Sequence, residues 1–175
     1  EIKYSLQSIF LFGFSVLPII YLIRSGHISL LENSPRNIVI GLLILNLWNE
    51  VHFFIVHRIM HLPFFMKRVH YIHHRSRVPT VYSVYCFHWL EATLLSTVPL
   101  IIALFVAFAP LAIAIYPLTS ILLNFAGHCN YRFGNGTGSA WTLFGTNHNA
   151  HHAKGKQNFG FAIDLLDRLY SLFKR

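Results

Sequence analysis

The chain has 175 residues, enough for one domain, and 54% of them are hydrophobic. Only 11% are charged, against roughly 25% in ordinary soluble domains, which argues against a soluble globular protein. A formal charge of +8 would by itself suit nucleic acid, but the long apolar runs make a membrane surface the expected partner and leave nucleic acid out.

From Tyr4 to Arg24 the chain offers about one membrane thickness of apolar residues, with Pro18 as the expected kink. A short polar link to Arg36 follows. The second span is expected over residues 37–56, and Asn46, Asn49, Glu50 and His52 in its later half predict a face turned into protein, not lipid. Residues 57–90 are rich in His, Arg and aromatics. Two further apolar runs, 92–108 and 111–127, flank Ala109 and Pro110 and predict a tight hairpin of two spans, each at the short end of the spanning range.

The last section, 128–175, holds a Gly/Asn-rich loop from Gly134 to Gly138 and an amphipathic end. There Phe161, Leu165, Leu169 and Leu172 recur at helical spacing, with Asp164, Asp167 and Arg168 on other faces. The expected fold is all-α: a four-span transmembrane helical bundle, with residues 57–90 and 128–175 as a histidine-rich helical cap, the whole chain forming one membrane-embedded domain. Twelve of the fourteen Lys and Arg residues fall on the cap side, and only Arg24 and Arg36 fall opposite. The positive-inside rule therefore turns the cap toward the cytoplasm. Cys86 and Cys129 are far apart and suggest no disulfide framework, which fits a reduced, cytosol-facing setting. The chain opens at Glu1 without a signal-peptide pattern, and its termini are not taken as natural ends.

Twelve histidines outnumber six acidic residues, and eight of them form three boxes. HRIMH carries His57 and His61, HYIHH carries His70, His73 and His74, and HNAHH carries His148, His151 and His152. On a helix, side chains three or four apart share a face, so each box is expected to act as a bidentate or tridentate imidazole donor. Eight imidazoles exceed one zinc, which takes four ligands, and suit two first-row ions, whose identity imidazole alone does not fix. His27 and His52, standing singly, are expected to be structural.

These boxes resemble the HxxxH, HxxHH and HxxHH boxes of the fatty acid hydroxylase/sterol desaturase superfamily of integral membrane di-iron enzymes. Further elements are similar: His88 to Glu91 (with Trp89 where proline is usual), GHCNY at the close of the last span, Asn158 to Gly160, and Leu166 to Arg168. The resemblance implies two non-haem irons, O2 as co-substrate and a lipid or sterol substrate. It implies metal binding by the eight box histidines, with His88 and His128 completing the shell. Glu91, Asp164 and Asp167 are then candidates to accept hydrogen bonds from ligand imidazoles.

The chain has no dinucleotide fingerprint and no sign of a fused haem domain, so electrons are expected from a separate cytochrome b5- or ferredoxin-type donor. The implied setting is a multi-pass membrane protein of the endoplasmic reticulum, if eukaryotic, or of the cytoplasmic membrane, if bacterial. Trp48, Phe53 and Phe54 could line an apolar passage for a lipid or simply pack. Two rival readings stand: a membrane metal-binding or transport protein without redox chemistry, and a structural subunit that kept the boxes. A transporter should place its ligands near the midplane between broken helices, whereas the boxes lie in the polar segments.

Overall fold

The computed structural model describes residues 1–80, 82–128, 148, 150–153, 155 and 158–173. Ile2–Phe14 (α1) and Val16–Arg24 (α2) make the first pass. The break falls at Ser15, whose Oγ donates to Phe12 O at 2.6 Å. Pro18 explains its place: the ring has no N–H for the Phe14 carbonyl four residues back and crowds it, so the helix yields one turn earlier. Gly26, at φ 79°, then turns the chain.

Pro35–Met60 (α3) is the central helix, capped by Ser34, whose side chain accepts the Asn37 amide at 3.2 Å, with Pro35 preset in the first turn. Pro63–Phe65 (α4), a π-helical turn Met66–His70 and Tyr71–His74 (α5) follow. Trp89–Ser96 (α6), Val98–Ala103 (α7) and Pro110–His128 (α8) complete the bundle, and Leu165–Leu172 (α9) lies near the end. Among the described residues there is no strand, only one isolated bridge between Leu30 and Phe108.

α3 packs against α6, α7 and α8, while α1 lies on α6 and α2 on α7. Leu45, Val98, Phe108, Ala112 and Tyr116 form the shared core. The polar face expected on α3 does turn inward: Asn46 Nδ2 donates to Thr119 Oγ1, Asn49 Oδ1 accepts from Tyr116 OH, and His52 lies 3.1 Å from Thr97 Oγ1. Outward faces carry exposed apolar side chains such as Phe10, Leu17, Leu43, Leu47, Leu118 and Leu122. In water such an array would be unfavourable; against lipid it is the expected surface.

One end of the bundle is closed by Leu31, whose amide donates to Phe108 O, and by Asn33, whose Oδ1 accepts the Leu111 amide. At the other end Glu1 accepts from Ser76, and Ser5 donates to Tyr82 O. The chain thus runs four times along the bundle, but among the described residues three helices are long and apolar enough to cross a membrane: Ile2–Arg24, Pro35–Met60 and Pro110–His128. The expected span over 92–108 is met by a shorter apolar helix, Trp89–Ala103, and a segment that carries the chain on to Phe108 beside Leu30. Trp89–Ala103 is broken at Thr97, ahead of Pro99, and at 1.5 Å per residue reaches roughly 22 Å. That falls short of a hydrocarbon core of roughly 30 Å.

Candidate metal centre

α3 delivers His57 in its last turn and His61 at its C-terminal cap. The π-helical turn and α5 carry the second box, and a helical turn at 148 and 150–153 carries the third. The histidines gather into two groups. His57, His61, His70, His74 and His151 form one; His73, His128, His148 and His152 form the other. In each group one ring nitrogen per residue lies within 4.8 Å of all the others.

The HRIMH box stays together in one group, as its spacing predicts, while the two HxxHH boxes divide between the groups. In both HxxHH boxes the i, i+4 pair joins one group, and the residue beside its second member turns into the other. His70 and His74 face the five-histidine group while His73 faces away; His148 and His152 join the four-histidine group while His151 crosses over. A helix turns about 100° per residue, so adjacent histidines point to different sides. The first group takes the whole HRIMH box, the His70 and His74 pair and His151; the second takes the His148 and His152 pair, His73 and His128, so neither can form from one segment alone.

Inside the groups, ring nitrogens converge. His61 Nε2 lies 3.0 Å from His151 Nε2 and 3.2 Å from His74 Nε2. His148 Nε2 lies 2.9 Å from His128 Nε2 and 3.0 Å from His152 Nε2. Outside, four of the other ring nitrogens find acceptors. His57 Nδ1 donates to Phe159 O at 3.0 Å, His70 Nδ1 to Glu91 Oε1 at 2.7 Å, His128 Nδ1 to Asn124 O at 2.9 Å and His152 Nδ1 to Ser76 O at 2.8 Å. A proton held on Nδ1 leaves the Nε2 lone pair facing inward.

The Nε2 atoms of His57 and His70 are buried without a partner. Burial first, then repulsion among neighbouring imidazoles, holds His61, His74 and His152 down to about 3. The same causes hold His70, His73 and His148 well below their ordinary value. Neutral lone pairs about 3 Å apart repel each other unless a cation lies between them. That spacing suits donors sitting roughly 2.0–2.1 Å from one ion. The residues fit two metal ions.

Of the remaining expected site residues, Glu91 is buried against His70. His88 joins neither group: its Nδ1 accepts the Leu90 amide as the cap of α6, which commits its tautomer to N–H on Nε2. Asp167 Oδ2 accepts the Gly160 amide, and Asp164 pairs with Arg168 at 2.8 Å. Backbone carbonyls of Ser76, Asn124 and Phe159 do work that the sequence could not signal, since every residue has a carbonyl. Glu50 is a further addition, and an acid within an apolar run was its signal. Asn149, Cys129 to Tyr131, the loop Gly134 to Gly138, and Arg132, Lys154, Lys156, Lys174 and Arg175 lie outside the described residues.

Beneath the histidines a cavity of about 120 Å³ opens between the passes, lined by Phe12, Asn49, Phe53, Tyr85, Phe87 and Phe161 among others. It adjoins both groups. Phe53 packs edge-on to His57 with centroids 4.9 Å apart, and Phe87 stacks on His73 at 4.8 Å. Of the three aromatics considered for a lipid passage, only Phe53 lines it. Trp48 donates to Val98 O, and Phe54 packs on Tyr170.

The family model for fatty acid hydroxylases matches residues 42–171. A sphinganine C4-monooxygenase of Arabidopsis thaliana is 26% identical over 142 residues, covering 80% of this chain and 52% of its own. A human fatty acid hydroxylase domain-containing protein is 28% identical over 142 residues, covering 78% of this chain and 40% of its own. The chain thus spans about half the length, or less, of these relatives. No solved structure gives a significant match.

Proposed function

The chain belongs to the fatty acid hydroxylase family, and from that premise we propose that it is an O2-dependent, non-haem di-iron oxidoreductase that hydroxylates, or desaturates, a lipid or sterol. The observation that carries this reading is the pair of buried histidine groups, each with converging nitrogens, set side by side at the head of an apolar cavity. Iron held there, with O2 as co-substrate and a cytochrome b5- or ferredoxin-type donor for electrons, supplies the oxidising power for unactivated C–H bonds that side chains lack.

The protein's part is to hold, orient and exclude. Nine imidazoles, the eight of the boxes and His128, are the metal donors. Glu91 and the three carbonyls keep Nδ1 protonated so that Nε2 stays free to bind. Phe53, Phe87 and Phe161 present an apolar wall that steers an aliphatic chain toward the groups and keeps water off it. Asp167 acts at one remove, through the Gly160 amide, and His88 through the start of α6. Residues 1–175 are read as one membrane-embedded unit with its histidine end on the cytoplasmic side, in the endoplasmic reticulum or a bacterial cytoplasmic membrane, where a soluble donor reaches it.

Metal transport is the rival. Its ligands belong near the membrane midplane, whereas these groups sit at the end of the bundle that also carries Glu1 and Thr80. Elemental analysis of purified protein, with His73→Ala and His151→Ala, tests the proposal: each is expected to lose a different ion and all lipid oxidation. Full oxidation in the double variant, or metal crossing liposomes with no O2 consumed on any lipid, would overturn it.

A further inference from the structure

Glu50 lies on α3 two turns before His57 and belongs to neither histidine group. It is the only acid in the three long helices. Its Oε1 accepts the Ala162 amide at 2.9 Å, and the amides of Phe161 and Ile163 also point at the carboxyl. Its Oε2 is buried without a partner, and among the described residues no Lys or Arg pairs with it. A carboxyl placed this way is costly, and an apolar side chain would serve packing better. Three amides from one short loop give the reason for keeping it.

That loop is tightly built. Asn158 sits at φ 61°, in the left-handed region. At Gly160 a Cβ would overlap the Ile163 carbonyl oxygen, so only glycine fits. The Gly160 amide is held by Asp167 and the 161–163 amides by Glu50, which staples the loop from both sides. Between these anchors lies Phe159. Its carbonyl receives the His57 Nδ1 proton, and its ring stands edge-on to His57, His61 and His151 at 5.6, 4.9 and 5.2 Å. Among the described residues, Phe159 meets imidazoles of the five-histidine group only.

The geometry points to Glu50 as a positioning residue for the five-histidine group, acting through the 158–163 loop. The carboxyl fixes the loop, the loop fixes the tautomer of His57, and the Phe159 ring limits where His61 and His151 can turn. The four-histidine group, whose outer acceptors are Asn124 O and Ser76 O, does not depend on it. This role rests on the two-metal reading.

The test uses the full chain purified in detergent, loaded with cobalt(II) and dialysed against a weak chelator. Two ions retained by the wild type bear on the two-metal reading; the variants bear on Glu50. Glu50→Leu is expected to bind one ion on the order of tenfold to a hundredfold more weakly. The cobalt left behind should show the absorption bands found in His57→Ala and not those in His128→Ala. Glu50→Gln keeps an acceptor oxygen at the same reach and should hold both ions. Equal weakening of both ions, retention of both by Glu50→Leu, or Glu50→Gln behaving like Glu50→Leu would overturn the role. If Glu50→Leu does not accumulate, Glu50→Asp, one methylene short, is judged by the same criteria.

Discussion

Glu91 Oε1 lies 2.7 Å from Nδ1 of His70, with the two residues 2% and 1% exposed. It is the one carboxylate in direct contact with a histidine among the described residues. Burial pushes the Glu91 carboxyl well above its ordinary value, and a cation on Nε2 of His70 would favour the carboxylate, which accepts the Nδ1 proton more strongly than a carbonyl does and makes Nε2 a better donor. Glu91→Gln is therefore expected to weaken metal binding by the five-histidine group on the order of tenfold to a hundredfold. Metal retention against a graded chelator series measures this, and unchanged retention would remove Glu91 from the metal's support.

Acid should unfold the metal-free protein earlier than the loaded one. His61, His74 and His152 sit at about 3 in the folded chain, against an ordinary value of 6.5. Below 6.5 the unfolded chain binds more protons than the folded one, so stability falls as pH falls from 6.5 toward 3. Above 6.5 both states are neutral at these rings and the effect vanishes. Melting of chelator-treated protein is expected to be flat from about pH 8 to 7 and to drop steadily below about 6.5. Metal-loaded protein should begin its drop at lower pH, because bound ions keep the rings deprotonated. A pH-independent melt of the metal-free protein down to about pH 5 contradicts the prediction.

Much of this centre was legible in the sequence, and the limits are physical. The boxes announced imidazoles in numbers suited to two ions, and the apolar runs announced helices. Spacing tells which residues share a helix, but not that adjacent histidines such as His73 and His74 face different groups, because that depends on what each face meets across the bundle. Carbonyl acceptors leave no trace in residue identity, so Ser76, Asn124 and Phe159 were invisible. The helix of the third pass is shorter than its apolar run because apolar composition counts residues, not hydrogen bonds: 104–109 are as apolar as a span yet end in the bridge to Leu30.

Bundle closure should be testable far from the metals. A Cβ on Gly41 would stand 2.9 Å from Ala112 Cβ and 3.3 Å from the Phe108 ring, so α3 and α8 touch here with nothing to spare. Gly41→Leu is expected to lower stability by about 1–3 kcal/mol through overpacking, read as earlier thermal unfolding in detergent. Because the histidines lie at the opposite end of α3, metal content per folded chain should be unchanged. A melt equal to wild type means the helices part freely at this point.

The cavity makes a prediction that separates substrate from metal. Ser96 lines it, is 7% exposed and donates to Thr93 O at 2.8 Å, so a larger side chain there has nowhere to go but into the space. Ser96→Phe is expected to keep both ions and lose lipid oxidation about a hundredfold, because a substrate displaced by even 1 Å from the reacting position loses that much. Leu122→Phe is the control: Leu122 is 60% exposed on the outer face of α8, and added bulk there meets lipid. Metal analysis alongside product formation reads both effects. Wild-type oxidation by Ser96→Phe would mean that the substrate reaches the histidines by another route, and loss of metal in that variant would mean that the cavity wall and the metal groups are one structure.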